Sequence, residues 1–175
     1  ADVREVRVVA GKLRRIHVDV ELALVVVVLV GHACEYRKAM RIVVLAVGRV
    51  RPPYADDVAH YRKLLAGQAR VDQIELRDEE KVAKRIPERA FVCLLDDKGK
   101  QMDSLAFSRW MEERRMEGRE LWFVIGGAFG GPQLDRVDFR LSLGQMTLPH
   151  QLARVVLLEQ IYRAHKIINN EPYHY

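Results

Sequence analysis

The chain has 175 residues, 49% hydrophobic and 30% charged, with a formal net charge of +5, which is ordinary for one globular domain with a real core. The mild basic excess permits a nucleic-acid partner without requiring one. Two cysteines, Cys34 and Cys93, exclude a disulfide framework and a CxxC zinc site.

Residues 1–39 begin at Ala1 and carry the apolar run "LALVVVVLV" at 22–30. Nine apolar residues fall short of the roughly 20 that span a bilayer. "VDVE" separates the run from the basic "GKLRR", and "GHAC" is a poor cleavage site, so a signal peptide is not expected. The segment reads as an appendage, a strand or sticky extension, and as a candidate product of upstream translation. A domain is expected to start at Met40 and fill residues 40–175.

"RIVVLAV" (41–47) reads as a buried strand and "YADDVAHYRKLLAG" (54–67) as a helix stopped by Gly67. "RVDQIELR" (70–77) alternates like a strand near an edge, and "DEEKVAKRI" (78–86) reads as a short polar helix. "AFVCLLD" (90–96) is a second buried strand, with Cys93 as a small apolar residue, and "DKGK" reads as a turn. In "DSLAFSRWMEERRMEG" (103–118), Asp103 or Ser104 caps a helix, Leu105, Trp110 and Met116 supply apolar contacts, "EERR" faces solvent, and Gly118 ends it. "ELWFVIG" (120–126) is a third buried strand. Pro132 is placed to start a short helix through Arg136, "FRLSLGQM" (139–146) reads as a last strand, and residues 148–168 form the longest helix. This alternation predicts an α/β fold, a parallel-rich sheet with helices on both faces.

Residues 126–131, "GGAFGG", place four glycines in six positions directly after a strand. Glycine inside regular structure costs roughly 0.5–1 kcal/mol relative to alanine, so close approach of a ligand or of another chain segment is expected there. The string lacks the lysine and hydroxyl of a P-loop and the GxG opening of a dinucleotide fingerprint. A nucleotide-binding oxidoreductase is disfavoured accordingly. "LSLGQMTLPHQLAR" (141–154) is a second strand end that breaks into a backbone-exposing loop before a helix. Two such loops side by side at the carboxyl edge of a parallel sheet are where α/β folds bind small ligands. Neither loop carries a cluster of acidic or basic residues, which points to a ligand held by backbone and apolar contacts.

Together, "MRIVVLAVGR", "IGGAFG", "LSLGQMTLPHQLARVVLLEQIYRA" and the terminal "EPYH" resemble the RlmH family of SPOUT-class RNA methyltransferases, over Met40 to His174. The resemblance implies an α/β domain with a C-terminal deep trefoil knot, working as a cytoplasmic homodimer. It implies S-adenosylmethionine as methyl donor, no metal, and N3 of a pseudouridine in 23S ribosomal RNA, within the ribosome, as acceptor. The donor contacts it implies are Leu95, Gly127, Gly144, Gln145, Met146, Thr147, Leu148 and Pro149. A non-catalytic ribosome- or RNA-binding module of the same fold is the alternative.

On the acceptor side the resemblance assigns Arg163, Tyr173 and His174 to the target nucleotide. A protonated imide nitrogen calls for a base or an anion-stabilising group, and His150 and Glu159 are further candidates. Glu159 is placed to orient Arg163 at i,i+4, and His150 to serve structure at a helix start. The family usually has a basic residue after "PYH", where this chain has Tyr175. Leu152, Val155, Val156 and Tyr162 line one side of the long helix, while Leu157, Leu158, Ile161 and Ile168 line others. A helix apolar on several sides needs cover on several sides, and a second subunit would supply it.

Overall fold

The computed structural model describes residues 40–127 and 131–173. The expectations for residues 1–39, His174 and Tyr175 lie outside the described residues, as does the middle of the glycine string.

Five strands form one sheet: β1 (Arg41–Val47), β2 (Arg70–Leu76), β3 (Phe91–Gln101), β4 (Leu121–Ile125) and β5 (Phe139–Ser142). Their order is β2-β1-β4-β3-β5, and every neighbouring pair is parallel. Parallel strands covered on both faces need apolar side chains on both, which explains the uninterrupted runs of β1 and β4. Every residue of β4 is buried, as befits the central strand. β2 lies at the sheet edge, in keeping with its mixed polar pattern.

The helices are α1 (Tyr54–Leu65), α2 (Val82–Arg85, after a 3-10 turn at Glu79–Lys81), α3 (Ser104–Glu117) and α4 (His150–Ile168). Helices lie on both faces, as expected, but unequally. Ile42, Val44, Phe91 and Phe123 pack in one core with Val58 and Leu65 of α1, Phe107 and Trp110 of α3, and Leu157 and Ile161 of α4. All three long helices therefore share a face. Val43, Leu45, Val92 and Trp122 point the other way, where Val82 of α2 with Leu134 and Val137 of a coil cover them.

Four local expectations also change. Asp103 does cap α3, its Oδ1 accepting from the Ala106 N–H at 2.6 Å, and Gly118 ends the helix with φ 69°. However, Leu105 and Met116 are exposed, and the inward positions beside Trp110 are Phe107, Ser108 and Met111. The "EERR" face is not wholly solvated, because Arg114 lies 4.7 Å from the centre of the Phe91 ring. Residues 132–136 form no helix: Pro132 is buried, and the coil covers the sheet instead of turning. The last strand stops at Ser142.

The "DKGK" turn is absorbed into β3, whose pairing with β5 skips from Leu95 to Lys100, both registered on Leu141. Gly99 makes this possible. A Cβ there would stand 2.8 Å from the backbone of Arg140 and Leu141.

Candidate active site

A cleft of about 1060 Å³ opens at the carboxyl edge of the sheet. Its walls come from the point where β3 breaks register (Leu94 to Asp97), from Ile125 to Gly127 after β4, and from Leu143 onward after β5. His150 and Ala153 of α4 close one end. The two backbone loops singled out in the sequence thus share one cavity. Of the eight expected donor contacts, Leu95, Gly127, Gly144, Met146, Thr147, Leu148 and Pro149 line it. Gln145 does not; it is exposed and outside the lining.

The cleft corrects the expectation that charge is absent. Asp96, Asp97, Asp135 and Arg140 also line it. They come from β3, β5 and the coil between β4 and β5, so neither glycine loop showed them. Asp96 pairs with Arg140 at 2.7 Å and accepts the Lys98 N–H at 3.0 Å. That backbone hydrogen bond, followed by the bond to Arg140, outweighs burial and holds its carboxyl below the usual range.

Three features fix the walls. At Gly127, a Cβ would stand 2.8 Å from Glu79 Oε1 and 3.4 Å from Val47 Cγ1, so the glycine lets β4's exit pass against its neighbours. At Gly144, the Ser142 hydroxyl donates to the Gly144 carbonyl at 2.8 Å and accepts its N–H at 3.3 Å, tying off the end of β5.

Arg154 is the third feature. Its side chain is 2% exposed, which for a charge demands partners. Nη1 donates to Glu75 at 2.8 Å; Nη2 donates to the Val47 and Gly48 carbonyls at 3.2 and 2.6 Å. Gln151 adds a bond from the Arg51 N–H to its Oε1 at 2.7 Å. The first turns of α4 are thereby clamped to the exits of β1 and β2. Beside this clamp, burial and then the Arg154 charge push the His150 imidazole below its ordinary range. Sequence reasoning missed Arg154. An arginine within the apolar "LARVVLL" was the available signal, but its partners are far away in the chain.

The acceptor candidates meet at the other end of α4. Arg163 donates to Glu159 Oε1 from Nη2 at 2.6 Å and from Nε at 3.0 Å, the i,i+4 pair expected from sequence. Its guanidinium lies 4.9 Å from the centre of the Tyr173 ring, which meets Tyr162 edge-on at 4.8 Å. Burial, followed by Tyr61 and Glu159, pushes the Tyr173 phenol up to about 12. Arg163 and Tyr173 are therefore brought together, while His174 lies outside the described residues.

Among the described residues, no three His, Cys, Asp or Glu side chains gather as metal ligands, and no helix is long and apolar enough to cross a membrane.

A parallel sheet with a backbone-lined cleft at its carboxyl edge places the chain in a recognisable class. The family model described as "Predicted SPOUT methyltransferase" matches residues 40–174. A protein of Carboxydothermus hydrogenoformans named ribosomal RNA large subunit methyltransferase H is 43% identical, over 77% of this chain and 99% of its own length. Proteins of the same name from Gemmatimonas aurantiaca and Acetivibrio thermocellus are 40% and 38% identical, each over 77% of this chain and 99% of their own length. The chain belongs to the RlmH family of SPOUT methyltransferases.

Proposed function

We propose that residues 40–175 form a SPOUT methyltransferase domain that transfers a methyl group from S-adenosylmethionine to N3 of a pseudouridine in 23S ribosomal RNA, in the cytoplasm and on assembled ribosomes. The carrying observation is that the loops around Gly127 and Gly144–Pro149 share one cleft of ligand size. When bound, the donor supplies a methyl group already activated on a sulfonium. The chain's task is then alignment and handling of the acceptor proton.

The residues present suit that donor. Leu95, Leu143, Met146 and Leu148 offer apolar flanks to a flat base, and the two loops offer backbone groups to its edge. The carboxylates Asp97 and Asp135 offer partners for hydroxyl or ammonium groups. The C-terminal segment is proposed to thread into a deep trefoil knot, as in the family, bringing residues 144–149 around the donor.

Arg163 is proposed to hold the imide or a phosphate of the target nucleotide, Tyr173 to stack on it and His174 to complete the pocket. Glu159 orients Arg163. Arg163 lies ten residues beyond Ala153, about 15 Å along the helix at 1.5 Å per residue. Methyl transfer needs near contact, of order 3 Å. This separation supports a homodimer in which one copy's Arg163 and Tyr173 face the other copy's cleft. The half-buried Leu152, Val155, Val156 and Ile168 on α4 support it too.

Mass spectrometry of ribosomal RNA tests the reading, after incubating the protein and S-adenosylmethionine with ribosomes lacking the modification. One added methyl on N3 of a pseudouridine is expected. Unmodified RNA at saturating enzyme and donor sinks the catalytic reading.

A further inference from the structure

We propose that Arg49, Arg51 and Arg77 form a phosphate-docking crest beside the cleft, through which the protein seats on folded ribosomal RNA. This rests on the reading above that the substrate is RNA.

The three arginines are distant in sequence but converge at one edge. Gly48, at the exit of β1, donates its N–H to the Leu76 carbonyl at the exit of β2, at 2.7 Å. Arg49 and Arg77 each follow one residue after that bonded pair, so their backbones are neighbours. Arg51 stands two positions further along the same loop. All three are exposed, and their side chains have no ion pair or hydrogen bond among the described residues.

The nearby carboxylates are committed elsewhere. Glu75 takes both Arg154 and the Val50 N–H (2.9 Å), and Asp78 pairs with Lys81 at 2.6 Å while also feeling the weaker pull of Arg77. Glu79 Oε1 rests against Gly127, and Glu80 lies within the field of Lys81. Three exposed cations without an ion pair among the described residues, held on adjoining backbone, oppose one another. Flexible loops relieve that repulsion by spreading, and this loop cannot. Its Gly48 carbonyl is bonded to Arg154, its Val50 N–H to Glu75 and its Arg51 N–H to Gln151.

Position gives the crest a purpose. Val47, just before it, packs near Gly127, and a Cβ on Gly48 would stand 3.5 Å from His150 Nε2. Gly127 and His150 both line the cleft. The crest is thus a rigid basic rim on the donor side, separate from Arg163 and Tyr173. Guanidinium groups pair with phosphate oxygens in bidentate fashion, and a pre-ordered set loses little entropy on docking. Phosphate contacts position a nucleic acid without reading its sequence, which suits a surface that orients a large RNA over a cleft.

The test compares the full chain with the triple variant Arg49→Ala/Arg51→Ala/Arg77→Ala and with its triple-lysine counterpart. Ribosomes lacking the modification serve as substrate, at several salt concentrations. KM for ribosomes is expected to rise at least about tenfold in the alanine variant with kcat little changed, and the lysines to restore most of it. The slope of log affinity against log salt should become shallower by about 2–3, given about 0.7–0.9 per phosphate contact. Donor affinity by calorimetry and the thermal midpoint should stay at wild-type values. A triple alanine variant with wild-type KM and salt slope overturns the crest. So does loss of the dimer in sedimentation, which would make this a protein–protein surface. If the wild type binds ribosomes without methylating them and the variant still loses salt-dependent binding, the crest stands while the catalytic reading falls.

Discussion

Arg154 Nη2 donates to the Gly48 carbonyl at 2.6 Å, across 106 positions of chain. One side chain of α4 thus sets both the start of the helix that closes the cleft and the loop that leaves β1. Truncating it would leave Glu75 without its charge partner and two strand-end carbonyls without a donor. Arg154→Ala is expected to lose about 3 kcal/mol of stability in urea unfolding. Arg154→Lys keeps the charge but not the fork, so it should recover only part of the loss and bind donor more weakly than wild type. Full stability in the alanine variant would remove the clamp from this account.

Two glycines make contrasting predictions, because what faces each missing Cβ differs. At Gly99 the obstacle is the backbone of Arg140 and Leu141, 2.8 Å away, which cannot rotate aside. Gly99→Ala should destabilise by about 2 kcal/mol, the range of overpacked sites, and weaken donor binding because β5 leads into residues 144–149. At Gly127 the nearest obstacle is the Glu79 carboxyl, the end of a flexible side chain. Gly127→Ala should therefore cost less, and its cost should shrink in a Glu79→Ala background. Thermal melts of the four proteins in that cycle measure the coupling; equal costs in both backgrounds would break the assignment.

These contrasts mark what the sequence could and could not convey. The strands at 41–47 and 121–125, the Asp103 cap and the Gly118 stop depend on neighbours a few positions away, and they were legible. So were the two loops, because strand ends of one parallel sheet converge at its carboxyl edge. The inward face of α3 was less legible: Leu105 and Met116 are large and apolar but exposed, while Phe107 meets Phe123 and Met111 is buried beside the same core. The excursion in β3 depends on Gly99 meeting a strand forty positions away. The charged lining of the cleft needed three separate segments to be placed together, and the Arg154 clamp needed three elements. Pro132 suits a helix start by rule, yet its burial against the sheet decided otherwise.

Arg163 and Tyr173 predict a split between donor and acceptor. Neither lines the cleft, so Arg163→Ala and Tyr173→Ala should leave donor affinity within about twofold while lowering methyl transfer about a hundredfold. Tyr173→Phe should keep much of the activity, since it retains the ring over which Arg163 lies. Burial pushes the Tyr173 phenol up to about 12, so it is expected to stay protonated at neutral pH rather than act as the base. No limb assignable to it should appear in the pH–rate profile up to about pH 9. Calorimetry with S-adenosylmethionine and single-turnover methylation of ribosomes separate the effects. A Tyr173→Phe variant as inactive as Tyr173→Ala would shift weight from the ring to the hydroxyl.

Two histidines make stability depend on pH in a defined window. His165 is 8% exposed, and its Nε2 is buried without a hydrogen-bond partner among the described residues. Burial first, then the Arg115 charge, lowers its pKa, against a smaller opposing pull from Glu112. His150 is lowered as well, by burial and then Arg154. Both folded-state pKa values therefore lie below the unfolded value of about 6.5. Between those limits the unfolded chain binds more protons than the folded one, so stability rises with pH. The contribution is present in full above about pH 6.5, is lost as pH falls toward the folded pKa values, and then levels off. The lowered carboxylates, Glu112 and Asp96 among them, begin to matter only nearer pH 4, so the histidines can be read separately between about pH 7.5 and 5. Urea unfolding across that range should show stability falling with acid in the wild type. His165→Gln should flatten much of the slope, and His150→Gln should remove a further part. An unchanged slope in the double variant would place the proton uptake on other groups and show that neither imidazole is held neutral by the fold.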